Sequence, residues 1–130
     1  MKIALWIVQV LLAVAFLAHG VMMIFPPAEV AVQMNAMLPR WFQLFLGVAE
    51  IAAAIGITVP GIMRTQPRLV PMAALGIMVV MVSATVLHTA RAEYGSAATT
   101  AVLLLLSTFV AWQRWRVNPI AARDAGAATV

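Results

Sequence analysis

Cysteine is absent from the 130 residues, and charge is scarce, with Asp, Glu, Lys and Arg at only 9% of positions. The first absence excludes structural disulfides and thiol chemistry by the chain itself. A redox role would therefore need a bound cofactor or a partner. The second excludes a soluble domain: 65% hydrophobic residues and a mean hydropathy of +1.03 leave more apolar surface than a core of this size can hide. Four acids stand against eight basic residues. The cations are scattered between apolar runs and form nothing that resembles a patch interleaved with aromatics, so they read as topology signals and not as a nucleic-acid surface. The expected partner is a lipid bilayer. Arginine outnumbers lysine seven to one and alanine abounds, a composition that points to a GC-rich bacterial source.

Long apolar runs fill the chain instead. Four spans are predicted, at about Ile3–Phe25, Trp41–Pro60, Leu69–Ala90 and Ala97–Trp115, each near the ~20 residues that cross a bilayer. The predicted fold class is all-α, an integral membrane four-helix bundle over residues 1–116. The Ala-rich tail, 117–130, lacks periodicity and is expected to be a disordered cytoplasmic segment. A signal peptide is the competing reading of the first run, which exceeds the ~7–15 residues of a typical h-region. Pro26-Pro27 stops that helix. From Ala28 to Arg40, Val30, Met34, Met37 and Leu38 recur at helical spacing opposite Glu29, Gln33 and Arg40. This predicts a short interfacial helix between spans one and two, lying over the mouth of the bundle. Pro60-Gly61 is expected to close span two. Gly47, Ala49, Ala52, Ala53, Ala54 and Gly56 give that span small faces for close helix approach, and a homo-oligomer is compatible with them.

Four spans place both termini on one side, with Lys2, Arg64, Arg68, Arg114, Arg116 and Arg123; Arg40 and Arg91 lie opposite. The positive-inside rule then predicts a multi-pass protein of the bacterial inner membrane with cytoplasmic termini. Glu50 falls at mid-depth, roughly 13 Å from Trp41. A carboxylate there costs ~2.5–3.5 kcal/mol on insertion scales, so it should face protein or water. His19 and His88 lie near the outer ends of spans one and three. Glu50, His19 and His88 are the candidate acid–base residues. Gln43, Thr85, Arg91 and Glu93 are candidate ligand-binding residues in the same outer half. The expectation is a pocket between spans one, two and three, opening outward, with Glu50 as its floor and Met34 and Met37 at its rim. The structural alternatives are a neutral Glu50 that orders the bundle and a His88 bonded to a backbone carbonyl. Two histidines and a carboxylate raise the question of metal. They stand on separate spans at depths differing by roughly 9 Å, so no metal site is predicted, and histidine-ligated haem still less.

ALWIVQVLLAVAFLAHGVM, GVAEIAAAIGITVP around Glu50, PMAALGIMVVMVSATVLH through His88, and Arg91-Ala92-Glu93 together resemble the DoxX-like family of small four-helix bacterial membrane proteins. The resemblance runs to about Arg116. Where the family often has a lysine soon after the glycine of span one, this sequence has Met22-Met23. The resemblance implies a four-helix membrane fold, and an association with quinone-linked oxidation of sulfur compounds or with oxidative-stress complexes. Three functional expectations follow. The first is a redox accessory or quinone-binding subunit: no covalent cofactor, a quinone or other small apolar ligand, electrons from an oxidoreductase partner, and Glu50 exchanging protons. The second is a cofactor-free enzyme, an isomerase or epoxide-opening catalyst, using Glu50 with a histidine as acid and base. The third is a non-catalytic assembly subunit.

Overall fold

The computed structural model describes residues 2–126; Met1 and 127–130, the end of the expected tail, lie outside the described residues. Its helices are α1 (Lys2–Ile24), α2 (Ala28–Met37), α3 (Arg40–Met63), α4 (Leu69–Ala90) and α5 (Tyr94–Trp112). A π-helical turn, Gln113–Val117, and a 3-10 turn, Arg123–Gly126, follow. There is no strand among the described residues. α1, α3, α4 and α5 with its π-helical extension are each long and apolar enough to cross a membrane, so the chain is a multi-pass membrane protein.

Proline sets the boundaries near the start. Pro27 and Pro39 cap α2 and α3 at positions where no amide donor is needed. Pro60 does not end α3, as the sequence suggests. It removes one internal hydrogen bond while the helix continues to Met63 and stops at Arg64, a non-glycine residue in the left-handed region with φ 56°. Continuing the helix brings Gly61 beneath Trp6 and Ile120, where any Cβ would lie 3.0 Å or less from each.

The helices form a ring in the order α1, α3, α4, α5, with α1 touching α5 only lightly and α4 diagonal to α1. Leu5, Leu12, Phe16, Ile57, Val70, Ala74, Ile77, Met81 and Val110 fill its centre. Large apolar residues such as Leu11, Phe45, Val79 and Leu105 point outward and are well exposed. In water that surface would drive aggregation; in hydrocarbon it is solvated. α2 buries no residue. Val30, Met34 and Leu38 form its half-buried side, while Met37 is exposed.

The face bearing the N-terminus, the α3–α4 loop and the turns after α5 is called the terminal face below, and the opposite one the distal face. Residues 118–126, which lack helical periodicity, turn back along the terminal face. The Arg123 amide donates to the Arg64 carbonyl at 2.9 Å, and Arg64 Nε donates to the Ala121 carbonyl at 3.1 Å.

Candidate functional site

Two glycines build the site. Gly20 on α1 and Gly47 on α3 meet backbone to backbone: a Cβ on either would stand 2.8 Å from the carbonyl oxygen of the other. Only hydrogen side chains permit that approach. It sets the next polar residue of each helix side by side, and His19 Nδ1–H donates to Glu50 Oε2 at 2.6 Å. Glu50 is 3% exposed and His19 45%. The buried carboxylate thus fixes the orientation of an imidazole that is itself only half-buried.

Glu50 also lines a groove of about 450 Å3 between α3 and α4. Phe16 of α1 contributes to the lining. Ala49, Ala52, Ala53 and Gly56 form one wall, and Ala73, Gly76, Ile77 and Val80 belong to the other. The groove exists because small residues face each other there. Gly56 and Ala73 touch at one point, but a Cβ on Gly76 would meet nothing within 4 Å. Its lining is apolar except for Glu50. The groove runs from Glu50 toward Leu69, at the terminal-face start of α4. The expected pocket lay in the other half of the bundle. Neither histidine lines the groove, nor do Met34 and Met37 of α2.

The remaining candidates are divided among other tasks. Gln43 is fully buried. Its amide donates to Asn35 Oδ1 at 3.0 Å and to the Leu38 carbonyl at 2.8 Å, and its oxygen accepts from Arg40. Arg40 also donates to the Met23 and Ile24 carbonyls, closing the orphan end of α1. Gln43 therefore ties α2 to α3 and has no free amide hydrogen for a ligand. Thr85 donates to Thr100 Oγ1 at 2.9 Å, joining α4 to α5. His88 does not join His19 and Glu50. Its Nδ1–H donates to Glu93 Oε2, and Arg91 Nε donates to Glu93 Oε1 at 3.1 Å. The hydrogen bond from His88, and then Arg91, hold the Glu93 carboxyl below its ordinary value. Among the described residues no three of His, Asp and Glu gather as a metal site would need.

A sequence model described as the DoxX-like family matches residues 7–110, from α1 to near the end of α5. The chain belongs to the DoxX-like family. No curated protein and no solved structure matches it. The residues matched to the DoxX-like family include the Gly20–Gly47 crossing, the His19–Glu50 pair, the groove and the His88–Glu93 turn. They stop short of Arg114, a polar residue of the terminal face that sequence reasoning passed over as a topology signal. It is 6% exposed and donates through Nε to Gln9 Oε1. Gln9, itself fully buried, donates to the Ile57 carbonyl at 2.7 Å. The available signal was Gln9: an amide in the middle of an apolar run demands a partner.

Proposed function

We propose that this DoxX-like protein is a quinone-binding membrane subunit whose His19–Glu50 pair carries protons between the ligand and the distal surface. One observation supports this above the others: Glu50 is at once the ionisable group of the groove and the partner of His19. A groove of about 450 Å3 lies in the range that holds small ligands, ~300–1,000 Å3. Its apolar walls suit a quinone ring and the start of its isoprenoid tail. A protonated Glu50 would donate a hydrogen bond to a quinone carbonyl and, on reduction, its proton. His19, hydrogen-bonded to Glu50 and partly exposed, would return that proton from the aqueous side. Quinone reduction to quinol consumes two electrons and two protons. The chain has no cysteine, and its residues offer proton transfer alone, so the electrons come from an oxidoreductase partner. The six basic residues of the terminal face favour a cytoplasmic placement of that face in the bacterial inner membrane.

The test uses the full chain in lipid nanodiscs, titrated with short-tailed ubiquinone and menaquinone analogues. Saturable binding is expected for the wild type. Gly76→Leu, which fills the groove from a position with open space around it, is expected to weaken that binding at least ~tenfold, as one lost ligand-sized contact surface would. Absence of binding, or binding indifferent to Gly76→Leu, would sink the proposal.

The His19–Glu50 geometry also favours a second reading, a cofactor-free acid–base enzyme, because a carboxylate that fixes one imidazole nitrogen leaves the other as a proton acceptor. The two readings differ in where the ligand touches. A quinone in the groove meets Glu50, whereas a substrate of the second kind must reach His19 Nε2. Protection of His19 from carbethoxylation by an added quinone analogue, undiminished in Gly76→Leu, would count for the second placement and against the first.

A further inference from the structure

The terminal face holds a second cavity, of about 430 Å3, lined by Lys2, Arg64, Arg114, Asn118 and the residues that follow it. It plays no part in the function proposed above. Its chemistry starts from the π-helical turn. The wider turn is closed by the Asn118 amide donating to the Gln113 carbonyl at 2.6 Å and by Asn118 Nδ2 donating to Gln113 Oε1 at 2.7 Å. Arg114 is buried in α-helical register with Ser107, Val110 and Ala111, while Trp115 and Arg116 stay exposed. The Arg114 guanidinium sits 4.7 Å from the centroid of the Trp6 ring. Nε donates to Gln9 and Nη1 to the Asn118 carbonyl at 3.3 Å. Nη2 is buried and has no hydrogen-bond partner among the described residues.

A buried guanidinium with an orphan donor requires an acceptor, and a buried cation requires a counter-charge. The described residues supply neither here. Among the described residues the ion pairs are His19–Glu50, His88–Glu93 and Arg91–Glu93, all away from this cavity. Asp124, the acid nearest in sequence, is exposed and pairs with none of the three cations. Arg64 is held at the cavity by its left-handed backbone and its bond to Ala121, with its terminal nitrogens unpaired among the described residues. Two guanidinium groups and an ammonium around one space supply the positive charge and N–H donors that a tetrahedral anion with several oxygens accepts.

We propose that this cavity binds a phosphate group, carried either by an anionic lipid headgroup or by a free phosphate. The phosphate is held and neutralised by the Arg114, Lys2 and Arg64 side chains that line the cavity. The Trp112 and Trp115 side chains, both more than half exposed at this end of α5, place the cavity at headgroup depth, within reach of either source.

Arg114 is tied to Gln9, and its removal endangers the fold, so the test varies the rim. The full chain in detergent is titrated separately with phosphatidylglycerol, phosphatidylcholine and inorganic phosphate, and thermal unfolding is followed. Wild type is expected to gain saturable stability. Lys2→Gln with Arg64→Gln is expected to weaken the apparent affinity at least ~tenfold, the loss of one or more charge-assisted bonds. Arg68→Gln with Arg116→Gln, equal in charge and on the same face but outside the cavity, is expected to leave it unchanged. A response to phosphatidylglycerol alone assigns the phosphate to a lipid headgroup; a response to inorganic phosphate alone assigns it to a soluble ligand; a response to both supports the phosphate chemistry itself. No saturable response to either, or equal losses in the two double variants, overturns the proposal.

Discussion

The α1–α3 seam and the α3–α4 seam are built from the same small residues and come out differently. Along α1–α3, Gly20 and Gly47 stand opposite each other and the backbones touch. Three polar locks cross the same seam: Gln9 to Ile57, His19 to Glu50, and Arg40 to the end of α1. Along α3–α4, Gly56 meets Ala73, but Gly76 meets nothing, and no side-chain hydrogen bond crosses among the described residues. Small residues close a seam only where the facing backbone is pinned by something else. Without such pins they leave a gap, and in an apolar bundle the gap becomes a ligand-sized groove. The molecule is thus two locked helix pairs, α1–α3 and α4–α5, joined along an open side.

The largest effect should come from forcing the locked seam apart. In Gly47→Leu a Cβ would lie 2.8 Å from the Gly20 carbonyl oxygen and 2.7 Å from Ile24 Cγ1, so the helices must separate. The expected loss is about 3 kcal/mol, the upper end of overpacking costs, read by reversible unfolding in mixed micelles. Gly76→Leu, the same change on the open seam, should stay within ~0.5 kcal/mol of wild type. Comparable losses in both variants would erase the distinction between the seams.

Next in size is the lock at the terminal end. Gln9→Leu removes the donor to Ile57 and the acceptor for Arg114, leaving a buried guanidinium poorer by one bond. About 2 kcal/mol is expected, as for other hydrogen bonds to charged groups, with the same unfolding assay. A loss near zero would mean that Arg114 finds another partner and that the lock is not required.

What the sequence made legible follows depth, and what it hid follows azimuth. Apolar length and tryptophan positions fixed the four spans to within a few residues. The cost of a mid-span carboxylate turned Glu50 inward, but depth reckoning left His19 roughly 9 Å from it, and only the Gly20–Gly47 crossing brings the pair to 2.6 Å. Depth also grouped His88 with His19 in the outer half. It cannot say that α4 lies diagonal to α1 in the ring, which is why His88 finds Glu93 instead. The groove was hidden for a related reason, since a stripe of alanine and glycine reads as tight packing whether or not a backbone comes to meet it. Arg114 was hidden because a cation beside Trp115 looks interfacial, although it falls in α-helical register with the buried Ser107, Val110 and Ala111. Pro60 misled about the end of α3, because the helix absorbs one missing hydrogen bond.

A smaller effect is expected from the α4–α5 pair, whose side-chain link is Thr85 to Thr100. Thr85→Val keeps the shape and deletes one interhelical hydrogen bond. Such bonds in membrane proteins average ~0.6 kcal/mol, because the separated helices also find partners. Double-mutant analysis with Thr100→Val should give a coupling of that order. A coupling of several times that size would make α4–α5 the more strongly pinned pair and invert the ranking of the seams.

The smallest effect, and a local one, concerns the turn that joins α4 to α5. Glu93 accepts from His88 and from Arg91, and these contacts hold its carboxyl below the value of 4.5 that it would have in the unfolded chain. A depressed carboxyl contributes stability in its ionised state. That contribution is complete above about pH 4.5 and disappears as the pH falls through the lower folded value, when the carboxyl takes up a proton and releases both donors. The carboxyl is open to water, so screening keeps the contribution small, and global unfolding should hardly respond. The turn itself should respond: amide exchange at residues 91–94 should speed up on acidification through that window, relative to the buried middle of α4. Glu93→Gln should show the faster exchange already at neutral pH and lose its acid dependence. If the variant instead kept the wild-type pH profile, the turn would be held by its backbone bonds, such as Glu93 N–H to the His88 carbonyl at 2.9 Å, and the distal end of α4–α5 would need no charge to stay closed.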